Sequence, residues 1–176
     1  LALNWISEDA YLPKWIGFTN QKLYQVRLLL EQRQRLDGPE ALLDALEQGA
    51  QYLLYDAYVS YLNELAEMAN CRLPVATLDD LLARTPLVTG EMKEIQFLFT
   101  DSFSWLTAML KAVAEQAQPS FPRTIEVDAF DPFGAIEGGA SLTSITLLQD
   151  NASPVSRWLS HLSDLIDAQR ENRQES

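Results

Sequence analysis

The chain has 176 residues, 47% of them apolar, with 25 Asp and Glu against 13 Lys and Arg for a formal charge of −12. That length suits one domain, 1–176, burying about 70% of its unfolded surface, and the acidic balance opposes the counterion release that phosphate backbones require, which argues against nucleic-acid binding. One cysteine (Cys71) and one histidine (His161) cannot supply an internal disulfide or a Cys/His zinc centre.

Residues 4–18, "NWISEDAYLPKWIGF", show no clear period, so 1–18 reads as an aromatic arm whose apolar groups need a surface to bury against. Over 20–36, Leu23, Val26 and Leu30 recur at helical spacing, with Leu29 and Leu36 beside them. The compact basic group on this helix, Arg27, Arg33 and Arg35, is interleaved with Glu31 and followed by Asp37. Gly38 and Pro39 then break the chain, and Pro39 suits the first turn of a second helix reaching to about residue 70.

Within that second helix stands "YLLYDAYVSYLNE", residues 52–64. Tyrosines three residues apart step back around the helix and cannot form one aromatic box. The apolar and tyrosine positions together cover roughly 200° of arc, far wider than a surface helix needs, which predicts a central helix. What is left is a polar stripe of Asp56, Ser60, Asn63 and Glu67, with Tyr52 near it and Glu64 at its margin. Solvent is the common partner of such a stripe. A crevice between helices is the alternative, in which Asp56, Ser60, Asn63, Glu67 and Tyr52 bind a small molecule or cation, as helical bundles do.

"TLDDLLAR" predicts a short helix with Thr77 as N-cap and Asp80 in the capping-box position. From 91 to 118 the pattern is again helical, with Ile95, Leu98, Trp105, Leu106, Met109 and Val113 on one side. Residues 121–152 read as an irregular insertion with a weak hairpin around "DPFGAIEGGAS". Its GxxxxG spacing lacks the lysine of a phosphate loop, because Ala140 stands there. The last helix opens on Ser153 as N-cap and Pro154, carries the stripe Val155, Trp158, Leu159, Leu162, Leu165 and Ile166, and ends in a polar tail that frays over 171–176.

"TNQKLYQVRLLLE" (19–31) and "WLSHLSDLIDAQREN" (158–172) resemble a family of small, all-helical gammaproteobacterial proteins of unknown function. The resemblance implies a helical bacterial protein and carries over no active-site residue. The expected fold is therefore all-α, an antiparallel bundle of four to five helices with an irregular excursion before the last. No nucleophile, base and orienting group converge in the sequence, so no catalytic residue, metal or cofactor is assigned. A non-enzymatic interaction or structural module is favoured, with a protein partner or a homodimer. The absence of an apolar run near 18 residues speaks against a membrane span. A cytoplasmic location is the expectation, with a removed upstream signal left open.

Overall fold

A computed structural model describes residues 15–71, 73–119 and 153–174. The expected hairpin within 121–152 and residues 1–14 of the arm lie outside these. Among the described residues there are six helices and no strand: α1 (Trp15–Arg35), α2 (Glu40–Met68), α3 (Leu78–Arg84), α4 (Gly90–Thr100), α5 (Trp105–Gln116) and α6 (Pro154–Gln174). The fold is all-α, as the apolar spacing predicts.

α1 and α2 pack more extensively than any other pair, and their ion pairs give the direction. Lys22 meets Asp56 at 2.9 Å and Arg33 meets Glu47 at 2.9 Å, so rising numbers on one helix face falling numbers on the other. α6 runs parallel to α2: Ser153 bonds Glu47 and, 17 residues on along both helices, Arg170 bonds Glu64. α1 is thus antiparallel to both long partners, and the short helices supply the crossover that a parallel pair needs.

α2 is the central element, touching α1, α3, α5 and α6. Leu54, Ala57, Tyr61, Leu62 and Leu65 are fully buried on it, together with Val26 of α1, Ile95 of α4, Leu106 and Met109 of α5, and Leu162 and Ile166 of α6. Gly49 does not interrupt α2, because its open face receives the Leu29 side chain 3.4 Å from where a Cβ would stand. The helix ends on a left-handed Asn70 (φ 59°), with Asn70 N–H donating to the Glu67 carbonyl and Cys71 N–H to that of Ala66. This paired closure satisfies two carbonyls that the helix leaves free, and asparagine tolerates the left-handed turn better than most residues.

Three boundaries differ from the periodic reading. α6 continues to Gln174, so 171–174, read as part of a frayed tail, are helical. α1 begins at Trp15, so Trp15, Ile16 and Phe18 belong to a helix, with the Trp15 and Phe18 rings edge to face at 6.0 Å. The helix read as continuous over 91–118 is two, because polar side chains stop one and start the next. Asp101 Oδ1 accepts from Phe103 N–H at 2.9 Å, Ser104 Oγ donates to the Leu98 carbonyl at 2.5 Å, and Thr107 N–H donates to Ser104 Oγ at 3.1 Å. Apolar spacing cannot register this break, since the stripe keeps phase across it.

Candidate functional site

The five stripe residues occupy different environments. Asp56 is exposed and paired with Lys22. Ser60 is buried and donates to the Asp56 carbonyl at 2.6 Å. Asn63 is buried and acts as a clamp: its Nδ2 donates to the carbonyls of Val59 and Val75, each at 2.8 Å, and its Oδ1 accepts from Val75 N–H at 2.8 Å. It therefore replaces a strand-like pairing for the segment that enters α3. Tyr52 and Glu67 are exposed, and Glu67 lines a cavity of about 260 Å³ with Ile16, Glu64 and Met68.

A denser polar centre lies one residue around α2, on Glu64 and Tyr61. Glu64 is only 3% exposed, and the Arg170 guanidinium closes on it with two bonds, Nε to Oε1 at 2.9 Å and Nη2 to Oε2 at 2.7 Å. The same guanidinium donates from Nη1 to Asn20 Oδ1 at 2.8 Å, so α1, α2 and α6 meet at one cation. Burial works against the Arg170 charge, but the bonds and field of Glu64 outweigh it and hold its pKa above the ordinary value. Tyr61 donates to Gln169 Oε1 at 2.5 Å, Gln169 Nε2 donates to Glu94 Oε2 at 2.7 Å, and Arg173 Nη2 reaches the Tyr61 oxygen at 3.3 Å. Arg173 also faces Glu91 at 3.7 Å.

Chemically this centre is closed. A bidentate arginine fills the lone pairs through which Glu64 would take a proton or hold a metal, and the tyrosine hydroxyl donates to an amide oxygen. Burial raises the Tyr61 pKa, with the Arg173 charge opposing it, so the phenol stays neutral at ordinary pH. Among the described residues no three His, Cys, Asp or Glu side chains group as metal ligands. Gln169, Arg170 and Arg173 stand at the polar end of α6, where the sequence reading placed no site. Their register was visible, since 169 and 173 repeat the buried positions 162 and 166 one heptad on.

On another side of α2, Tyr55 and Tyr58 line a cavity of about 180 Å³ with Ala76, Thr77, Leu78, Asp79, Phe99 and Leu110. Tyr58 is 4% exposed and its hydroxyl has no hydrogen-bond partner among the described residues. Burial, and then the nearby Tyr55 and Asp79, push its pKa up. His161 stacks on Trp105, ring centroids 5.8 Å apart, and so packs an aromatic face at the α5–α6 contact.

The sequence pattern of DUF6586, described as a family of unknown function, matches residues 13–176. The chain belongs to this family. Searches of curated proteins and of solved structures give no match. Membership of DUF6586 brings no activity or ligand with it, so function has to be argued from the side chains. No described helix is long and apolar enough to cross a membrane.

Proposed function

We propose that this protein is a non-catalytic helical module that works by association, and that its contact surface is the α4–α5 corner, where it meets a second copy of itself. The observation that carries this reading is the exposure of Phe97 (71%) and Phe103 (96%) in the last turn of α4 and the turn that follows. Large apolar side chains left open this far, close together in the chain, mark contact surfaces in folded proteins. The polar centre at Glu64 is meanwhile occupied in joining helices, which leaves it little chemistry to offer.

Charge favours a second copy at this corner. With a formal charge of −12, two copies repel across most of their surfaces. Residues 96–103, "QFLFTDSF", carry one charge, Asp101, and that carboxylate already caps Phe103 N–H. Repulsion is weakest there and apolar gain greatest, and closed two-fold pairs are the commonest oligomers.

Light scattering over a concentration series tests the reading. The protein is expected to dimerise, more tightly as salt screens the repulsion, and Phe97→Ser with Phe103→Ser should return it to monomer with unchanged helicity. A wild-type monomer at about 100 μM, a concentration at which even a weak interface is populated, would refute it.

A further inference from the structure

Phe97 and Phe103 do not make an interface by themselves. Two exposed phenylalanine side chains bury roughly 400 Å², whereas a stable pair buries about 800 Å² on each partner. The apolar surface continues from them through Phe99, which is 43% exposed and also lines the cavity between α2, α3 and the α4–α5 pair. That cavity, of about 180 Å³, is walled by Leu78, Leu110 and Tyr55, with Ala76, Asp79 and Phe99 exposed where it meets the surface.

Phe103 suits such a cavity. Its ring is 96% exposed, so its own chain gives it almost no cover, yet the backbone that carries it is held on both sides. Asp101 Oδ1 accepts from Phe103 N–H at 2.9 Å, and Ser104, the next residue, caps α5 while donating to the Leu98 carbonyl. A large apolar group presented on a fixed backbone has less freedom to lose on binding. Size agrees: a cavity near 150 Å³ accepts a benzene ring, so one of about 180 Å³ takes a phenyl ring.

From this uncovered ring and the ring-sized apolar cavity that Phe99 joins to the same corner, and resting on the association reading above, we infer that Phe103 of each copy seats in the α2–α3–α5 cavity of the other. The exchange is reciprocal, so a two-fold pair makes the contact twice and closes without offering a site to a third copy. Asp79 is the one charged residue in the described lining. A second copy of an acidic chain is repelled there, so this carboxylate opposes the pairing.

Sedimentation equilibrium of the full chain and its variants, with helicity checked by circular dichroism, tests the seating. Phe103→Ser should weaken the pair by about tenfold or more, and so should Ala76→Phe, which fills the cavity from an exposed position between α2 and α3. Together the two should weaken it no further than either alone, because both remove the same contact. Asp79→Asn should tighten the pair. In a sample mixed from isotope-labelled and unlabelled chains, NMR cross-peaks are expected between the Leu110 methyls of one copy and the Phe103 ring of the other. A pair unweakened by Phe103→Ser or by Ala76→Phe, additive losses in the double variant, or no such cross-peaks in a sample shown to be dimeric would each overturn the seating and leave the association reading standing. A wild type that stays monomeric removes the association reading itself, and the seating with it.

Discussion

Glu64 and Arg170 are 106 residues apart in the chain and joined by two short charge-assisted bonds, with the carboxylate 3% exposed and the guanidinium side chain 17% exposed. The pair fixes the rotation of α6 against α2, since a fork of two parallel bonds is satisfied in one geometry only. Glu64→Gln is expected to destabilise by about 3 kcal/mol, because the arginine is left half-buried without its counter-charge. Replacing both partners with apolar residues of similar volume, Glu64→Leu with Arg170→Met, should cost far less than the single change. Denaturant melts of wild type and the two variants check this, and equal losses in the single and double variants would show that the pair contributes little of its own.

Asn63 reaches a segment that has no helix of its own to bond to. Its amide makes both the donor and the acceptor contact with Val75, as well as a bond back to Val59. Asn63→Ala should cost about 2 to 3 kcal/mol, since the Val75 N–H and carbonyl are then buried unpaired. Asn63→Asp should be nearly as damaging, because a carboxylate accepts from Val75 N–H but has nothing to donate to the two carbonyls. Urea melts with hydrogen exchange at the Val75 amide report both, and protection kept in Asn63→Ala would contradict the assignment.

Periodicity carried most of the fold and little of the site, for a physical reason. Burial of Leu106 and Leu162, and of the α2 tyrosine face, follows from 3.6-residue spacing alone, because apolar side chains have one place to go. Polar residues have two. Asp56 and Asn63 sit seven residues apart on one stripe, yet one is exposed and pairs with a largely covered lysine while the other is sealed against the backbone of another segment. Which outcome holds depends on what packs above, here α1 for Asp56 and the segment ahead of α3 for Asn63, and the spacing within α2 does not name either. The division of 91–118 at Ser104 was hidden for a related reason: three side-chain bonds decide it, and none alters the apolar phase.

Ser104 therefore makes a local test. It accepts from Thr107 N–H as the α5 N-cap and donates to the Leu98 carbonyl at the end of α4. Ser104→Ala should cost about 1 to 2 kcal/mol by removing both, whereas Ser104→Asp, which keeps the accepting role, should retain the capping part. Thermal melts ranking wild type, aspartate and alanine in that order are expected. An alanine variant as stable as wild type would mean that the break is held by Asp101 and Thr107 instead.

The last prediction concerns high pH and rests on Tyr58 and Tyr61. Burial is the main reason both phenols titrate above the ordinary value of 10.0; Tyr55 and Asp79 add to it at Tyr58, and Arg173 partly offsets it at Tyr61. A folded-state pKa above the unfolded one means that the folded chain keeps its proton where the unfolded chain has begun to lose it. Below pH 10 both states are protonated and the contribution of these groups to stability is complete. As pH rises past 10 the unfolded chain ionises first, so unfolding is favoured by up to about 1.4 kcal/mol per pH unit for each phenol, until the folded pKa is passed. Stability measured in urea should therefore fall more steeply from pH 10 upward in wild type than in Tyr58→Phe, and most gently in Tyr58→Phe with Tyr61→Phe. The slopes are the readout, because Tyr61→Phe also loses its bond to Gln169 and starts from a lower stability at every pH. Lysine deprotonation adds a background common to all three proteins, and identical slopes would show that the two hydroxyls ionise as easily in the fold as outside it.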